Sequence, residues 1–434
     1  MFHGNFQPAR IRDARFYRLV HTIREIFTTF KNKLIAMKYM LWVLMVTGLL
    51  LGSGCNRDNQ AKEDEYQPLV FTSEPAPEWT ALMQRTSGWF AADGIFSIPL
   101  DGSESQGGAG RETLFIFSDT YVGEVMDSVP QPGNVMVNNS AAWLRGSEPV
   151  EERITFTYHT DADGEPISYF VPGNAVSEPA DYFWLGDGFV NPARDGALYL
   201  FAYHVQKTGP NVFDFEQDDV VLLRIPEPTE EGLSRYEQMP TGLGFVHPDH
   251  GRVYFGSGVF VNTRDADAPD PDGYVYIYGI MEGEKSLVAA RVRPGAIEEF
   301  DRWRFWNGST WVKDHREVAP ITNSVSNELS VTPTGDGRYL LTFTVLGISD
   351  KIGIRVGASP VGPFGKIHQV YTCPEYAERG LLPYNAKAHY HLSEPGKLLV
   401  SYNTITENFW EDIQQDATIY HPRFVWVHYN ESSR

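Results

Sequence analysis

Cysteine is nearly absent from this sequence, which has only Cys55 and Cys373 among its 434 residues. Two cysteines cannot form the network of disulfides that stabilises small secreted folds. Cys55 has a separate interpretation below, and Cys373 is expected to be a buried apolar side chain. The fold must therefore depend on an apolar core, for which the 42% of hydrophobic residues are sufficient.

Positive charge is also scarce. The chain has 36 lysines and arginines against 56 aspartates and glutamates, which gives a net charge of -20. The first 54 residues carry eight basic and two acidic side chains, a balance of +6, so the remainder carries -26. Such a surface repels phosphate backbones, so nucleic acid is not an expected partner, whereas a neutral ligand such as a sugar is not repelled.

Long segments with helical periodicity are missing between residues 69 and 429. Short strand-like runs alternate there with clusters of Gly, Pro, Asp and Asn. Aromatic residues make up 13% of the chain and glycines number 39, a mixture typical of half-buried strands and tight turns. Breaker-rich segments such as residues 103–110 are expected to be surface loops. The predicted fold class is all-β.

A pair of features recurs five times, in which a short acidic or polar motif, here called an anchor motif, precedes a strand-like run. The anchor motifs are Asp93-Gly94, Asp187-Gly188, Ser257-Gly258, Asn327-Glu328 and Ala388-His389. The runs span residues 114–117, 198–203, 274–278, 339–344 and 397–402. Repeats at this spacing predict supersecondary units, and five units predict a five-bladed β-propeller over residues 69–430 with the anchor motifs facing a shared centre. The alternatives are a six-bladed propeller with one degenerate blade and a β-sandwich with inserts.

Residues 37–54 have the features of a secretory signal. An apolar stretch at residues 41–51 follows three lysines and is itself followed by Gly52, Ser53 and Gly54. Cys55 comes next, which resembles the lipobox of bacterial lipoproteins, with Gly52 as a departure where that pattern has Leu. The expectation is a lipidated Cys55, a tether over residues 55–68, and attachment to the bacterial cell envelope, in the outer membrane or facing the periplasm. Cleavage without lipid, giving a secreted protein, and a retained membrane anchor are the alternatives.

Residues 1–36 do not belong to this signal. They are basic and precede a segment that is already complete as a signal. Met37 or Met40 would make a natural start, so residues 1–36 are interpreted as a mis-called N-terminal extension.

Several motifs, taken in order along the chain, resemble those of bacterial five-bladed propellers related to arabinanases and β-xylosidases. These motifs are residues 93–99, 114–120, 138–140, 354–364, 384–389 and 399–403. The resemblance is strongest to a group classed as domains of unknown function, some members of which are endo-D-arabinanases. It spans most of residues 79–404. It implies a glycan-degrading fold with a central acidic site and does not fix the sugar.

Carboxyl groups are the residues from which catalysis is expected. Cleavage of a glycosidic bond needs one carboxyl group as acid and another as base or nucleophile, in environments that separate their pKa values. The resemblance implies that Asp93 is the general base and that Asp187 orients the acid and tunes its pKa. Glu328 has no turn signature of its own and is our candidate for the general acid. Asp119 competes with Asp93 or Asp187 for a catalytic role, and a structural turn, strand end or hydrogen bond is the alternative for each.

Polar and aromatic neighbours of the anchor motifs are candidates for substrate binding. They are Asn138, Asn139, Trp184, Arg355, Lys387 and His389. His389 and His391 share one face of a strand, but no third ligand supports a zinc site. The resemblance implies that His389 is a neighbour of a structural calcium ion or water in a central channel. Core packing or structural hydrogen bonding is the alternative for all of them.

These observations favour a lipid-anchored, monomeric glycoside hydrolase that requires no cofactor. The expected reaction is the hydrolysis of a furanoside, arabinan-like or related polysaccharide, with inversion, because carboxylates on separate blades leave room for a water. A non-catalytic glycan-binding lipoprotein on the same scaffold is the first alternative, since one fold can host both roles. A phosphorylase or transferase is the second, and it would need cations beside the carboxylates, for which only Arg355 and Lys387 are candidates.

Overall fold

The computed structural model describes residues 68–107, 110–173, 181–209 and 214–430. The predictions for residues 1–36, for the signal at residues 37–54, for Cys55 and for most of the tether lie outside these ranges and stay predictions. Within the described ranges, no helix combines the length and the apolar character that crossing a membrane requires.

Strands dominate the described chain, because its short apolar runs are rich in aromatic and β-branched residues. The first fourteen are β1 (Phe71–Pro75), β2 (Ser87–Ala92), β3 (Phe96–Pro99), β4 (Glu112–Phe117), β5 (Thr120–Met126), β6 (Val129–Pro130), β7 (Val135–Val137), β8 (Ser140–Arg145), β9 (Ile154–Thr157), β10 (His159–Thr160), β11 (Pro166–Ile167), β12 (Tyr182–Asn191), β13 (Ala197–Lys207) and β14 (Phe215–Ile225). The next fourteen are β15 (Glu237–Pro240), β16 (Gly244–His247), β17 (Gly251–Asn262), β18 (Tyr274–Met281), β19 (Ser286–Val292), β20 (Arg304–Trp306), β21 (Trp311–Val312), β22 (Ser330–Pro333), β23 (Tyr339–Thr344), β24 (Lys351–Gly357), β25 (His368–Thr372), β26 (Leu382–Ala388), β27 (Lys397–Ile405) and β28 (Arg423–Tyr429).

Helices in the described ranges are short. The α-helices are α1 (Pro77–Leu82), α2 (Pro374–Arg379) and α3 (Phe409–Asp412). Proline begins α1 and α2, where its missing amide hydrogen costs no helical hydrogen bond. The 3-10 turns are Glu151–Arg153, Pro192–Arg194, Gly232–Ser234, Pro294–Ala296, Phe300–Arg302, His315–Glu317, Tyr390–Leu392 and Ala417–Tyr420.

Five antiparallel sheets form the main body of the described chain. Sheet 1 has the strand order β3-β4-β8-β9, sheet 2 runs from β12 to β15, and sheet 3 runs from β16 to β21. Sheet 4 runs from β22 to β25, and sheet 5 has the order β26-β27-β28-β1. The all-β class is confirmed, and the five predicted runs are strands, in β4, β13, β18, β23 and β27. Two small sheets, one of β2, β5, β6 and β7 and one of β10 and β11, are additions that the five-unit pattern did not predict.

Five strands, one from each sheet, take part in contacts between neighbouring sheets. Strand β12 contacts β3 and β17, and β22 contacts β17 and β26. Three of these five strands carry a β-bulge, at Leu185/Gly188 in β12, at Phe255/Gly258 in β17 and at Tyr384/Lys387 in β26. A bulge bends its strand and re-aims side chains. The anchor motifs Asp187-Gly188 and Ser257-Gly258 lie at two of these bulges, so they lie where the sheets contact each other.

Glycine permits the close approach of the bulges in β12 and β17. Gly256 has a φ of +104°, and a Cβ atom there would lie 2.5 Å from the Phe201 Cβ. A Cβ atom on Gly186 would lie 2.5 Å from the Gly256 carbonyl oxygen. A larger residue at Gly186 would push β12 and β17 apart, and one at Gly256 would push β17 away from Phe201 of β13.

The N-terminal strand β1 completes sheet 5 by pairing with the C-terminal strand β28. The register begins with Phe71 opposite Tyr429, and Leu69 is buried just before it. We expect a chain that begins at residue 76 to lose on the order of 3 kcal/mol of unfolding free energy relative to one that begins at residue 68, because it loses this apolar burial and exposes an edge of β28. Thermal unfolding of the two chains measures the difference, and equal midpoints would contradict the prediction.

Candidate active site

A cavity of about 800 Å³, here called the main cavity, is lined by residues from all five sheets and their loops. Three of the four candidate catalytic carboxylates line it, namely Asp93, Asp119 and Glu328. Asp93 precedes β3, Asp119 lies between β4 and β5, and Glu328 precedes β22. Strand ends that are far apart in sequence therefore bring these acids to one space.

Asp93 lies among hydroxyl groups. The Tyr384 hydroxyl donates to its Oδ2 over 2.7 Å, and Tyr420 is also hydrogen-bonded to this carboxylate. Its Oδ1 is buried and accepts no hydrogen bond from the described residues. Burial raises the pKa of Asp93, and the two tyrosines and the charge of Lys387 oppose this rise only in part.

The glycine of the first anchor motif holds two loops of sheet 1 together. Gly94 has a φ of +61°, and a Cβ atom there would lie 2.6 Å from the Ser118 Oγ. The Ser118 amide donates to the Asp93 carbonyl over 2.9 Å, and the Asp93 amide donates to the Asp119 carbonyl over 3.2 Å. Only glycine suits this backbone conformation and this contact, and the result is that Asp93 and Asp119 lie side by side.

Asp119 is the second carboxylate of this pair. Its Oδ1 accepts hydrogen bonds from the Asn138 amide over 3.0 Å and from the Trp184 indole over 2.9 Å. Burial, together with the nearby negative charge of Asp93, raises the pKa of Asp119 to about 7. The pair therefore favours keeping a proton at neutral pH.

Glu328 is buried, with 8% of its surface exposed. Its Oε1 accepts a hydrogen bond from the Asn385 amide over 2.7 Å, and its Oε2 forms an ion pair with Lys387. Burial raises the pKa of Glu328 to about 7, the positive charge of Lys387 opposes the rise, and the charges of Asp93 and Asp187 add to it. Burial dominates because it removes the water that would otherwise stabilise the carboxylate.

Lys387 is a buried cation among these acids, with 2% of its surface exposed. Its ammonium donates to the Ile95 carbonyl over 2.9 Å and lies 4.5 Å from the centre of the Phe96 ring. Its charge lowers the pKa values of Asp93, Asp187 and Glu328 relative to burial alone. Lys387 lines the small cavity and not the main one. It is a charge partner of the carboxylates, and the expectation that it binds substrate directly stays a prediction.

A second, small cavity of about 60 Å³ lies next to Lys387 and contains Asp187, the fourth candidate. The Asp187 Oδ1 accepts a hydrogen bond from the Gly188 amide over 2.8 Å, and the Asp187 Oδ2 accepts one from the Val259 amide over 2.7 Å. Burial raises the pKa of Asp187 to about 7. The structure therefore separates Asp187 from the main cavity.

Glu104 also lines the small cavity, although it belongs to the segment 103–110 predicted as a surface loop. Its Oε1 accepts from the Val261 amide over 3.2 Å, and burial raises its pKa to about 8. Glu104 is half-buried, because this part of the loop folds inward against sheet 3.

His389 lines the small cavity but has no free nitrogen to offer. Its Nδ1 lies 2.7 Å from the Ser97 Oγ, and its Nε2 lies 2.8 Å from the Ser401 Oγ. Burial lowers its pKa well below the ordinary value. No group of three or more His, Cys, Asp or Glu side chains in the described ranges is suited to hold a metal ion. Both ring nitrogens of His389 therefore have structural hydrogen-bond partners, and a sugar contact or a place beside calcium stays a prediction.

The other candidate binding residues divide into two groups. Trp184 lines the main cavity. Asn138 does not line it, but its amide donates a hydrogen bond to Asp119, which does. Asn139 is fully buried, and its side chain bonds the backbone of Phe170 and Phe183. The amide of Asn139 joins two chain segments of the core, and its predicted role in substrate binding stays a prediction.

Arg355 also lies away from the site. Its guanidinium donates to the carbonyls of Gly365, over 2.7 Å, and Asn323, over 3.3 Å. It lines neither of the two cavities. Arg355 lies on β24, the third strand of sheet 4, and its predicted role in substrate binding stays a prediction.

Several residues of the site were not singled out from the sequence. Tyr384 and Asn385 belong to the motif at residues 384–389, so their neighbourhood carried a signal. Tyr420 and Glu104 carried none, because each reaches the acids only through tertiary contacts. Asn385 has a φ of +56°, which asparagine tolerates better than most residues. It lies at the bulge of β26, and from there its side-chain amide donates the hydrogen bond to Glu328.

Solved structures of other proteins resemble this one to different degrees. A candidate hydrolase from Bacteroides ovatus matches with a TM-score of 0.63 and 18% identity, over 83% of this chain and 90% of that one. An exo-β-1,3-galactanase from Phanerochaete chrysosporium matches with a TM-score of 0.44 and 8% identity, over 79% of this chain and 63% of that one. A xylan β-1,4-xylosidase from Bacillus halodurans matches with a TM-score of 0.41 and 11% identity, over 80% of this chain and 54% of that one. The first likeness shows a shared fold alone, and the other two are too distant to support an inference about activity.

Family membership is clearer than these likenesses. No curated protein matches this sequence. The family described as a domain of unknown function, DUF5005, matches residues 77–429, which include all four candidate carboxylates. This agrees with the resemblance to a group of domains of unknown function, while the link to endo-D-arabinanases stays a prediction. The chain belongs to the DUF5005 family.

Proposed function

We propose that this protein is a glycoside hydrolase in which Glu328 is the general acid and Asp93 the general base. The observation that carries the proposal is the main cavity, where the two carboxylates meet from different sheets and have different partners. Cleavage of a glycosidic bond requires such a pair. We also propose that the five sheets close as a five-bladed propeller, which the contacts from β3 through β12, β17 and β22 to β26 support.

Glu328 suits the role of acid because it can keep a proton at neutral pH. Its pKa of about 7 means that a substantial fraction is protonated there, in spite of the ion pair with Lys387. The Asn385 amide fixes the direction of the carboxyl group. A positioned acid with a pKa near the working pH can protonate the leaving oxygen efficiently.

Asp93 suits the role of base because its hydrogen bonds favour the ionised form at one oxygen. Tyr384 and Tyr420 both contribute to this. The Oδ1 accepts no hydrogen bond from the described residues, so in this proposal it is the oxygen that receives the proton of the attacking water, once substrate binding brings that water to the ionised carboxylate. Asp119, beside Asp93, is a positioning residue in this proposal, because its charge state determines how readily Asp93 takes up that proton.

Asp187 is proposed to tune the acid from the small cavity. Two backbone amides hold its carboxylate in place. Its negative charge adds to the raised pKa of Glu328. Because Asp187 does not line the main cavity, it is assigned no contact with the bond that is cleaved.

The substrate is proposed to be a furanoside, arabinan-like or related glycan, and the reaction is proposed to invert the anomeric centre. The support for both is the resemblance of the sequence motifs and the origin of the acid and base on separate sheets. The protein is proposed to act as a monomer at the cell envelope, attached through a lipid on Cys55.

A non-catalytic glycan-binding protein is the second candidate, and one observation favours it. The ion pair with Lys387 stabilises the ionised form of Glu328, which opposes its use as an acid. A phosphorylase or transferase is not proposed. Arg355 lies outside both cavities, and Lys387 is buried against Glu328.

A hydrolysis screen tests the proposal. The full chain is incubated with arabinans, xylans and galactans over a range of pH, and new reducing ends are measured. We expect cleavage of a furanoside-containing polysaccharide, with kcat falling as the pH rises above about 7, because Glu328 then loses its proton. Binding without any cleavage would support the second candidate instead.

A further inference from the structure

The edge of the main cavity carries apolar side chains that the proposed reaction does not use. Leu346 is 66% exposed, Ile348 is 50% exposed and Trp410 is 36% exposed, and all three line the cavity. We call these three residues the apolar rim. Exposed apolar side chains gathered beside a concave site are typical of a surface that a ligand covers.

Leu346 is held in the apolar rim against its backbone preference. Its φ is +62°, in the left-handed region that leucine seldom adopts. Its amide donates to the Ser324 carbonyl over 2.9 Å, and Ser324 is itself left-handed, with a φ of +63°. Backbone strain of this kind concentrates at functional sites. The loop between β23 and β24 therefore keeps an apolar side chain in solvent where glycine or asparagine would be easier to accommodate.

The apolar rim is joined to the proposed base through two sets of contacts. Ile348 forms an antiparallel bridge with Tyr384, whose hydroxyl donates to the base. Trp410 contacts Phe409 with ring centroids 5.2 Å apart, and Phe409 packs against Tyr420 at 4.7 Å. A ligand on the apolar rim would therefore lie close to the carboxylate that activates water.

Sheets 2 and 3 and their loops line the main cavity with polar side chains. These are Glu216, Gln217, Arg252, Glu282, Lys285 and Asn327. With the catalytic candidates included, carboxylates among the described lining residues outnumber cations by five to two, and Arg252 is already paired with Glu216. A cavity without an excess of unpaired cations offers no attraction to anionic sugars such as uronates or sulfated residues, and it accepts neutral ones.

We infer that the apolar rim is a binding subsite for the C–H face of a sugar ring in a neutral glycan, whose hydroxyl groups meet the polar side of the main cavity. A sugar ring has an apolar face and polar edges, and the cavity offers both kinds of surface. The inference rests on the proposed function, because it places this subsite beside the proposed base.

Leu346→Gly is the sharpest test, because glycine suits the left-handed backbone and removes only the side chain. We expect neutral oligosaccharides to bind about tenfold more weakly, a loss typical of removing one buried contact, while the unfolding temperature stays equal or rises. Trp410→Ala should weaken binding to a similar extent. Asp195→Gly is the matched control, since Asp195 has a φ of +58° and lies outside the main cavity, and it should leave binding unchanged.

Binding is measured by titration calorimetry on the full chain carrying Glu328→Gln, with and without each rim substitution. The probes are arabino-, xylo- and galacto-oligosaccharides, with oligogalacturonate as the anionic probe. The expected result is binding of at least one neutral probe and at least tenfold weaker binding of oligogalacturonate.

The outcomes separate this inference from the proposed function. If the unsubstituted chain hydrolyses nothing but Leu346→Gly still weakens binding of a neutral probe, the inference stands and the proposed function fails. If hydrolysis occurs and both rim variants keep the original KM, the proposed function stands and the inference fails. The inference also fails if no neutral probe binds, if oligogalacturonate binds as tightly as the neutral probes, or if the rim substitutions change only the oligomeric state.

Discussion

Glu328→Gln is expected to lower kcat by about 10³-fold, the scale on which a positioned general acid contributes. Glutamine has nearly the same shape as glutamate and can still accept the hydrogen bond from Asn385. It cannot donate a proton to the leaving oxygen at any pH. Substrate binding should change little, because the side chain still fills the same place in the main cavity, so the loss should appear in kcat and not in the dissociation constant.

Glu375→Gln is the matched control for this substitution. Glu375 is also partly buried and paired with a cation, Arg423, at 3.0 Å, and it does not line either cavity. Steady-state kinetics and calorimetry on both variants, with circular dichroism to verify folding, make the comparison. Unchanged kcat in Glu328→Gln would remove Glu328 from the mechanism, and equal losses in both variants would point to a general structural effect.

Lys387→Met is expected to change both the pH profile and the stability. The buried ammonium is the one described cation whose charge lowers the pKa values of Asp93, Asp187 and Glu328 together. Without it the pKa of Glu328 should rise by about one unit or more. The alkaline limb of the activity profile, where Glu328 loses its proton, should then move to higher pH, provided that Asp93 still ionises. The acid limb, where Asp93 ionises, should move in the same direction.

The stability effect of Lys387→Met has a definite sign with pH. Burial raises the pKa of Glu328 in the folded protein, from the ordinary value of 4.5 to about 7. Stability from this carboxyl group is therefore fully present below about pH 4.5 and is lost as the pH rises through about 7. Removing the cation widens this gap by about one unit, so the variant should lose about 1 kcal/mol of unfolding free energy at pH 8 and almost none at pH 5 through this group.

Lys397→Met is the matched control for this second prediction. Lys397 also lies over an aromatic ring, that of Trp426, at 4.1 Å, but it is outside both cavities. Denaturant unfolding at pH 5 and pH 8, together with kcat measured across pH, compares the two variants. An equal stability loss at both pH values in Lys387→Met would mean that Lys387 acts through packing and not through its charge.

The strands were predictable because their signal is local. The runs at residues 114–117 and 339–344 are apolar, short and bounded by turn residues, and both are strands in the structure. Asp93-Gly94 was recognisable for the same reason, since a glycine with positive φ is required next to the aspartate.

The side-chain roles were less predictable. Asn139 and Arg355 look like binding residues beside the anchor motifs, yet their side chains are hydrogen-bonded to backbone groups.

By itself, the sequence determined the all-β class, the positions of the main strands and the set of acids from which a site could be built, because periodicity and turn chemistry act over a few residues. Only the tertiary structure decided that Asp93, Asp119 and Glu328 share one cavity, that Asp187 lies in another, and that Lys387 pairs with Glu328. The tertiary structure also raises the pKa values of these four carboxyl groups, since the values depend on burial and on charges from distant parts of the chain. Tyr420 and Leu346 show the same limit, because nothing adjacent to them in the sequence specifies the cavity that they line.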